Sequence, residues 1–200
     1  MKIKNLAAIV IAAFINVPSN SQQDKTIFSK TEYNMTNTSF TTTIMVSENP
    51  NKVYDAINNV RGWWSEEIEG STDELNKVFD YHFKDLHRCS IKVTELVPSN
   101  KVVWLVTENN FSFTKDKEEW KGTRMIFEIT PEGSKTKMTF THEGLMPEHE
   151  CYNVCHDAWT GFIQSSLYNL IVTGKGQPNP KDGINQINSD NIDKWDLKKD

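Results

Sequence analysis

The sequence predicts an α+β fold in which a curved antiparallel β-sheet wraps around one long C-terminal helix. Two observations indicate this fold. Short segments rich in alternating apolar residues follow one another between Phe40 and His142, as in an antiparallel sheet. A long amphipathic run then extends from Pro147 to Gly174, with apolar residues at helical spacing. A helix of that length spans about 36–40 Å and needs a broad apolar surface, which the predicted sheet supplies.

The first elements are a strand and a short helix. The segment FTTTIMVS, from Phe40 to Ser47, is rich in β-branched residues and predicts a strand. Asn49 and Pro50 then favour the start of a helix over Asn51–Asn59, whose apolar residues share one face. The tight aromatic segment RGWW follows it.

Further strands are predicted at 77–83, 88–97, 101–107, 120–130 and 135–142. In the first of these, Phe79, Tyr81 and Phe83 alternate with polar residues, so the three rings should share one face of the sheet. The segment KVVWLVT is apolar on both faces and predicts a central strand. Residues 109–119 are charged and aromatic, which indicates a hairpin or a mobile loop.

The long helix is predicted from its ends and from its apolar stripe. Pro147 suits a first helical turn, Glu148 and Glu150 suit the positive end of the helix dipole, and Gly174 suits a left-handed cap. The residues expected to face the sheet are Tyr152, Cys155, Trp159, Phe162, Ser166 and Leu170, with Ile163 and Leu167 beside them.

The two ends of the chain differ in composition from the central domain. Residues 1–21 read as a signal peptide, because lysines precede an apolar run and Ser19 and Ser21 occupy the −3 and −1 positions of a cleavage site. Residues 22–38 then form a linker, 39–178 the folded domain, and 179–200 a disordered tail with Trp195 as an isolated aromatic. We therefore expect a periplasmic or secreted protein. The alternative is a cytoplasmic protein translated from Met35.

Charge and cysteine content limit the partners that we expect. A net charge of −5 and a pI near 5.6 argue against nucleic acid, and no apolar run beyond the signal peptide is long enough to span a membrane. Cys89 could pair with Cys155 in an exported protein, but three buried thiols, including that of Cys151, are the favoured interpretation. His142, Glu143, His149 and His156 lie near these cysteines in sequence without any zinc-site spacing. We expect no metal and no cofactor.

Five segments, taken in order, resemble the helix-grip superfamily of START-like (SRPBCC) proteins, and more narrowly its bacterial branch related to activators of heat-shock-protein ATPase. They cover Phe40 to Pro178 and read FTTTIMVSENPNKVYDAINNVRGWW, KVVWLV, EWKGTRMIFEI, MTFTHEGL and CYNVCHDAWTGFIQSSLYNLIVTGKGQP. The resemblance implies a helix-grip fold. It leaves the function open, since the superfamily includes lipid carriers, cyclases, hydrolase-like members and co-chaperone domains.

Three functions follow as hypotheses. The first is binding of a small hydrophobic or amphipathic ligand between the sheet and the long helix, with His142 and Tyr81 as polar groups. The second is a chaperone-interacting module that exposes Trp63, Trp64 and the 109–121 segment, which requires a cytoplasmic protein. The third is an enzyme using His142 as acid or base. The predicted ligand-binding residues are Trp63, Phe79, Tyr81, Trp104, Trp120, Phe127, Phe140, His142, Trp159 and Phe162.

Overall fold

The computed structural model describes residues 39–197 of the 200-residue chain. The predicted signal peptide and linker lie outside the described residues. The described part forms a seven-stranded antiparallel sheet, one short helix between its first and second strands, one long helix after the last strand, and a further helix near the C-terminus. None of these helices is long and apolar enough to cross a membrane.

The sheet has the order β1-β7-β6-β5-β4-β3-β2, so the first and last strands of the chain segment are neighbours. Its register pairs Phe40 with His142 and Phe127 with Phe140, which places their side chains on the same face. Register shifts in the β4–β5 pair, at Ser90/Ile91 and Val93/Glu95, mark irregularities of the kind that bend a strand and increase its twist. The strands are β1 Phe40–Val46, β2 Glu69–Gly70, β3 Val78–Phe83, β4 His87–Val97, β5 Lys101–Phe111, β6 Arg124–Glu132 and β7 Lys135–Glu143.

Helix α1 spans Pro50–Asn58 and is followed by a 3-10 turn at Val60–Gly62. The Asn49 side chain accepts a hydrogen bond from the Lys52 backbone N–H at 3.0 Å, and Pro50 occupies the first turn. The Asn-Pro signal in the sequence thus corresponds to an N-cap followed by the first helical residue.

The long helix consists of α2 (Tyr152–Gly161), a π-helical turn (Phe162–Leu167) and α3 (Tyr168–Thr173). Gly174 ends it in the left-handed conformation, as predicted, with φ of 80°. The predicted start at Pro147 is wrong by about one turn. The side chain of Glu119 instead accepts hydrogen bonds from the N–H groups of Glu150 and Cys151, at 2.6 and 2.8 Å, so a carboxylate from a distant loop satisfies the helix start.

The π turn changes which residues face the sheet. Cys155, Trp159 and Phe162 are buried, as the helical spacing predicts. Beyond the turn, the wide π geometry shifts the face by one position, so Ile171 is fully buried while Leu170 is only half-buried. A uniform helical period cannot predict this shift.

The C-terminal segment is ordered up to residue 197, so the prediction of a disordered tail is wrong for 179–197. Helix α4 spans Gln186–Trp195 and is capped by Asn185, whose side chain accepts from the Asn188 N–H at 2.9 Å. Ile192 and Leu197 are buried. The polar composition of this segment predicts disorder, but a few buried side chains and several asparagine hydrogen bonds hold it to the domain.

The chain reaches α4 along a narrow path over the 3-10 turn. A Cβ atom on Gly176 would lie 2.2 Å from the carbonyl oxygen of Gly62, so only glycine fits there. Asn179 then pairs with Ser65 in a parallel bridge, and its N–H donates to the Trp64 carbonyl oxygen at 2.8 Å. Asn179 is 1% exposed, and its side-chain oxygen accepts from Asn188 Nδ2 at 3.1 Å. These contacts anchor the segment before α4 begins.

Candidate functional site

The space between sheet and long helix contains two groups of aromatic rings. We call the first group, centred on Trp104, the filled end. Trp104 is fully buried, and its ring centroid lies 5.3 Å from that of Phe79, 4.8 Å from that of Phe127 and 6.5 Å from that of Trp63. Phe127 also contacts Phe140 at 4.9 Å. These rings fill their space by packing on one another, which is the usual role of buried aromatic residues.

His142 lies at the end of this group in a closed hydrogen-bond chain. The indole N–H of Trp159 donates to His142 Nδ1 at 3.0 Å, so the ring carries its proton on Nε2. Nε2 then donates to the Thr123 hydroxyl at 2.9 Å, and this hydroxyl donates to the Trp120 carbonyl oxygen at 2.5 Å. Burial lowers the pKa of His142 to about 3, so the imidazole is neutral at physiological pH.

This arrangement bears on two roles predicted for His142. Both ring nitrogens are engaged by protein groups, so neither is free to contact a ligand or to exchange a proton with a substrate. The side chain is 0% exposed. The structure therefore makes His142 a structural group that fixes the Trp159 and Trp120 segments relative to each other.

The second group of rings, which we call the cavity end, surrounds a small cavity of about 60 Å³. Trp64, Tyr81, Phe83, His87, Phe111 and Trp120 supply one side of its wall. The long helix contributes Cys155, Ala158, Trp159 and Phe162, and the C-terminal segment contributes Asn188, Asn191, Ile192 and Leu197. The remaining lining residues are Leu86, Phe113 and Val154. Within residues 39–197, no Asp, Glu, Lys or Arg side chain lines the cavity.

Trp120 is held firmly at this cavity by rings on several sides. It stacks nearly parallel to Trp159 at 5.8 Å and meets His142, His87 and Phe111 edge-on at 4.6, 4.7 and 5.3 Å. The residue is 4% exposed, yet its indole N–H has no hydrogen-bond partner among residues 39–197. A buried donor without a partner costs free energy, which makes this N–H a group that a ligand can satisfy.

His87 is the titratable histidine of the cavity wall. Its Nε2 lies 2.8 Å from the side-chain oxygen of Asn109, and Asn109 Nδ2 donates to the Lys117 carbonyl oxygen at 2.8 Å. The amide orientation requires His87 Nε2 to be the donor. Burial lowers the pKa of His87 to about 4, against a smaller opposing effect of the Asn109 hydrogen bond, so this ring is also neutral near pH 7.

Helix α4 closes one side of the cavity and is attached to the long helix both by polar contacts and by apolar packing, in which Ile187 lies against Gly161. Asp157 accepts hydrogen bonds from Lys194 Nζ at 2.7 Å and from the indole N–H of Trp195 at 2.9 Å. Asn191 Nδ2 donates to the Val154 carbonyl oxygen at 3.4 Å. The apolar closure itself depends on Ile192 and Leu197.

The structure divides the ten residues that were predicted to bind a ligand. Four line the cavity, namely Tyr81, Trp120, Trp159 and Phe162. The other six are buried but are not among the cavity-lining residues: Trp63, Phe79, Trp104, Phe127, Phe140 and His142. The sequence predicts a pocket along the whole sheet–helix seam, whereas ring packing fills the region around Trp104 and the cavity lies under α4.

Sequence reasoning missed the residues that close the cavity. Phe83 was predicted on the correct face of its strand, whereas Phe111 fell in the segment 109–119, predicted as a hairpin or mobile loop, and lies instead at the end of β5. The α4 residues carried a weaker signal: Asn185 at a capping position, followed by Ile187, Ile192 and Trp195 at near-helical spacing. The segment 179–200 is polar on average, and a prediction based on that average overlooks this pattern.

The structure also places the groups proposed for protein contacts and metal binding. Trp63 and Trp64 are 0% and 2% exposed, so they do not form the exposed aromatic patch that the chaperone hypothesis required. All three cysteines are buried with free thiols, and burial raises the pKa of Cys89. Within residues 39–197, no three His, Cys, Asp or Glu side chains converge as metal ligands would.

A curved antiparallel sheet packed on one long helix, with a cavity between them, defines a START-like, helix-grip protein. The family comparison is more specific: the family model for Activator of Hsp90 ATPase homolog 1-like proteins matches residues 47–171. The chain therefore belongs to this family, as the resemblance in the sequence implied. A comparison with curated protein sequences finds no significant match.

Solved structures show the same fold. The Aha1 dimer of Colwellia psychrerythraea, solved in solution, is 23% identical with a TM-score of 0.56, and the match covers 69% of this chain and 98% of that one. Protein Mll3558 of Rhizobium loti is 16% identical with a TM-score of 0.52, covering 67% and 96%. Protein SSP2350 of Staphylococcus saprophyticus is 12% identical with a TM-score of 0.52, covering 69% and 94%. At these identities the likeness concerns the fold alone.

Proposed function

We propose that this protein binds a small apolar molecule in the cavity enclosed by the cavity-end rings, the long helix and α4. The observation that carries the proposal is the cavity itself, with its aromatic and aliphatic walls and no Asp, Glu, Lys or Arg side chain among the lining residues. Ligand sites are typically concave and mostly apolar, with a few placed polar groups. The fold supports the proposal, since proteins of this class commonly bind hydrophobic ligands.

The size of the cavity adds a condition to the proposal. A dry cavity of about 150 Å³ holds a benzene molecule, whereas this one measures about 60 Å³. A ligand of benzene size must therefore enlarge the cavity. Helix α4 is the wall that we propose moves, because its polar contacts with α2 come from Asp157 and from one long hydrogen bond of Asn191. Its apolar contacts, made by Ile187 against Gly161 and by Ile192 at the cavity, would shift with it. The sheet and α2 are held by many more contacts.

Thermal stability in the presence of α-methylstyrene, a compact aromatic hydrocarbon, tests the proposal. A ligand that binds only the folded state raises the melting temperature with its concentration. Cys155→Leu adds two methyl groups at a cavity-lining position and should remove this rise while the protein still melts cooperatively. Val172→Leu, on the exposed face of α3, is the control and should bind like the wild type. Absence of any rise in the wild-type protein, measured also by calorimetry, would contradict the proposal.

Export is a separate part of the proposal and is supported only by the sequence pattern of residues 1–21. The mass of the protein recovered by compartment tests it. A mature chain beginning at Gln22 is expected, and a cytoplasmic chain beginning at Met35 would contradict it.

A further inference from the structure

The buried indole N–H of Trp120 carries information about the chemistry of the ligand. Trp63, Trp159 and Trp195 each donate their indole N–H to a protein acceptor. Trp104 and Trp120 find no acceptor in the part of the chain that the structure describes, and both N–H groups are buried. The difference between these two is position: Trp104 lies among the rings of the filled end, whereas Trp120 lines the cavity.

Indole nitrogen donates and cannot accept, so only a hydrogen-bond acceptor can satisfy Trp120. The rings of Trp159, His142, His87 and Phe111 restrict the movement of this side chain, which prevents it from turning toward water. The acceptor must therefore come to the indole from within the cavity, and a ligand that carries one replaces water as the partner of this N–H.

The absence of charged side chains from the cavity wall further restricts the chemical class of the ligand. Among the described residues, no Lys or Arg side chain lines the cavity, and His87 is neutral near pH 7 because burial lowers its pKa to about 4. Burial also raises the pKa of Tyr81, so its phenol keeps its proton. A carboxylate or phosphate entering this space would lose its hydration without gaining a cation, which is a large cost. An ionised fatty acid is therefore a poor occupant.

We infer that the ligand is a neutral apolar molecule bearing one hydrogen-bond acceptor, such as a ketone, aldehyde or ester, and that the Trp120 indole N–H binds this acceptor. The inference rests on the proposed function, since it concerns the same cavity. It names the chemical class that the cavity selects and the residue that selects it.

Three probes of nearly equal shape test the inference: acetophenone, which has a carbonyl group, α-methylstyrene, which has a methylene group in its place, and benzoate, which is charged. The measured quantity is the ratio of the dissociation constants of acetophenone and α-methylstyrene, because this ratio cancels most of the shared ring contribution. Trp120→Phe keeps a buried aromatic ring and removes the N–H. It should weaken acetophenone relative to α-methylstyrene by about three- to tenfold, as expected for one neutral hydrogen bond.

Trp104→Phe is the matched control. It removes the other buried, unpartnered indole N–H, which does not line the cavity, and should change the ratio less than twofold. Benzoate should bind the wild-type protein at least tenfold more weakly than acetophenone. A ratio unchanged in Trp120→Phe, or benzoate binding as tightly as acetophenone, would overturn the inference and leave the proposed function standing. Failure of all three probes to bind the wild-type protein would overturn both.

Discussion

The filled end and the cavity end are built from the same kind of residue but are closed in different ways. Around Trp104, rings from several elements pack directly on one another. Around Trp120, the rings form a wall whose last side is supplied by α4, a helix joined to the domain by polar contacts at its edge. The comparison shows that aromatic content alone does not make a pocket. The element that closes the space decides whether it can admit a ligand.

Two phenylalanines sharpen the comparison most strongly. Phe127 is fully buried at the filled end and contacts three rings, so Phe127→Ala should lower the free energy of unfolding by about 3–5 kcal/mol. Phe83 lines the cavity, so Phe83→Ala removes a side chain that already borders empty space and should cost about 2 kcal/mol or less. Urea denaturation of both variants measures the difference. Equal losses would show that the two ends are packed alike.

The pH dependence of stability provides the second test, with His87 in the cavity wall and His142 outside the cavity lining, where its ring contacts Trp120 and Trp159. Both have folded-state pKa values far below the ordinary value of 6.5, about 4 and about 3. Between pH 6.5 and about 4 the unfolded chain therefore binds protons that the folded chain does not, and stability falls as pH falls. Each histidine should contribute a slope of up to about 1.4 kcal/mol per pH unit.

His87→Gln separates the two contributions, because glutamine can still donate to Asn109 but does not titrate. The variant should lose about half of the histidine-dependent slope between pH 6 and 4.5, as measured by denaturation at a series of pH values. A slope identical to that of the wild type would mean that His87 is not buried as a neutral ring.

The smallest expected effect concerns the attachment of α4. Asp157→Ala removes the acceptor shared by Lys194 and Trp195 and should cost about 1 kcal/mol. Hydrogen exchange should become faster in Gln186–Trp195 and stay unchanged in β6 and β7, since the sheet does not depend on this contact. Lys137→Ala, which removes an exposed ion pair with Glu132, is the control and should change neither. Uniformly faster exchange throughout the domain would contradict a separately movable α4.

Six of the seven described strands were predicted, because their residues alternate clearly, whereas the two-residue strand β2 was not. In β7, Met138 and Phe140 alternate with lysine and threonine residues, and both are buried. The helix start was misplaced because its N–H groups bind Glu119, a residue more than thirty positions away, which no local pattern contains. Likewise, α4 was overlooked because asparagine hydrogen bonds and only a few apolar contacts hold it, and these are tertiary effects.

Only four of the ten predicted ligand-binding residues line the cavity, because burial alone does not show whether a ring borders empty space. Inward-facing positions follow from strand alternation on the sheet and from helical spacing on α2, so Tyr81 and Trp159 were both predicted correctly as buried residues. Whether a ring borders space or another ring depends on the packing of several elements at once. That information is distributed over residues as distant as Trp64 and Leu197 and is not contained in the periodicity of any single element.

The anchor at Asn179 has a consequence for binding strength. Because Gly176 and Asn179 tie the chain to the 3-10 turn and to Trp64, α4 is joined to its own docking site by a short segment of the same molecule. A short tether holds such a group at an effective concentration on the order of millimolar. If the protein binds a ligand as proposed, helix α4 would be an intramolecular competitor for the space that an enlarged cavity needs. The measured affinity would then be the intrinsic affinity of the open form reduced by this competition. Changes in the tether would alter that affinity without changing any residue that touches the ligand.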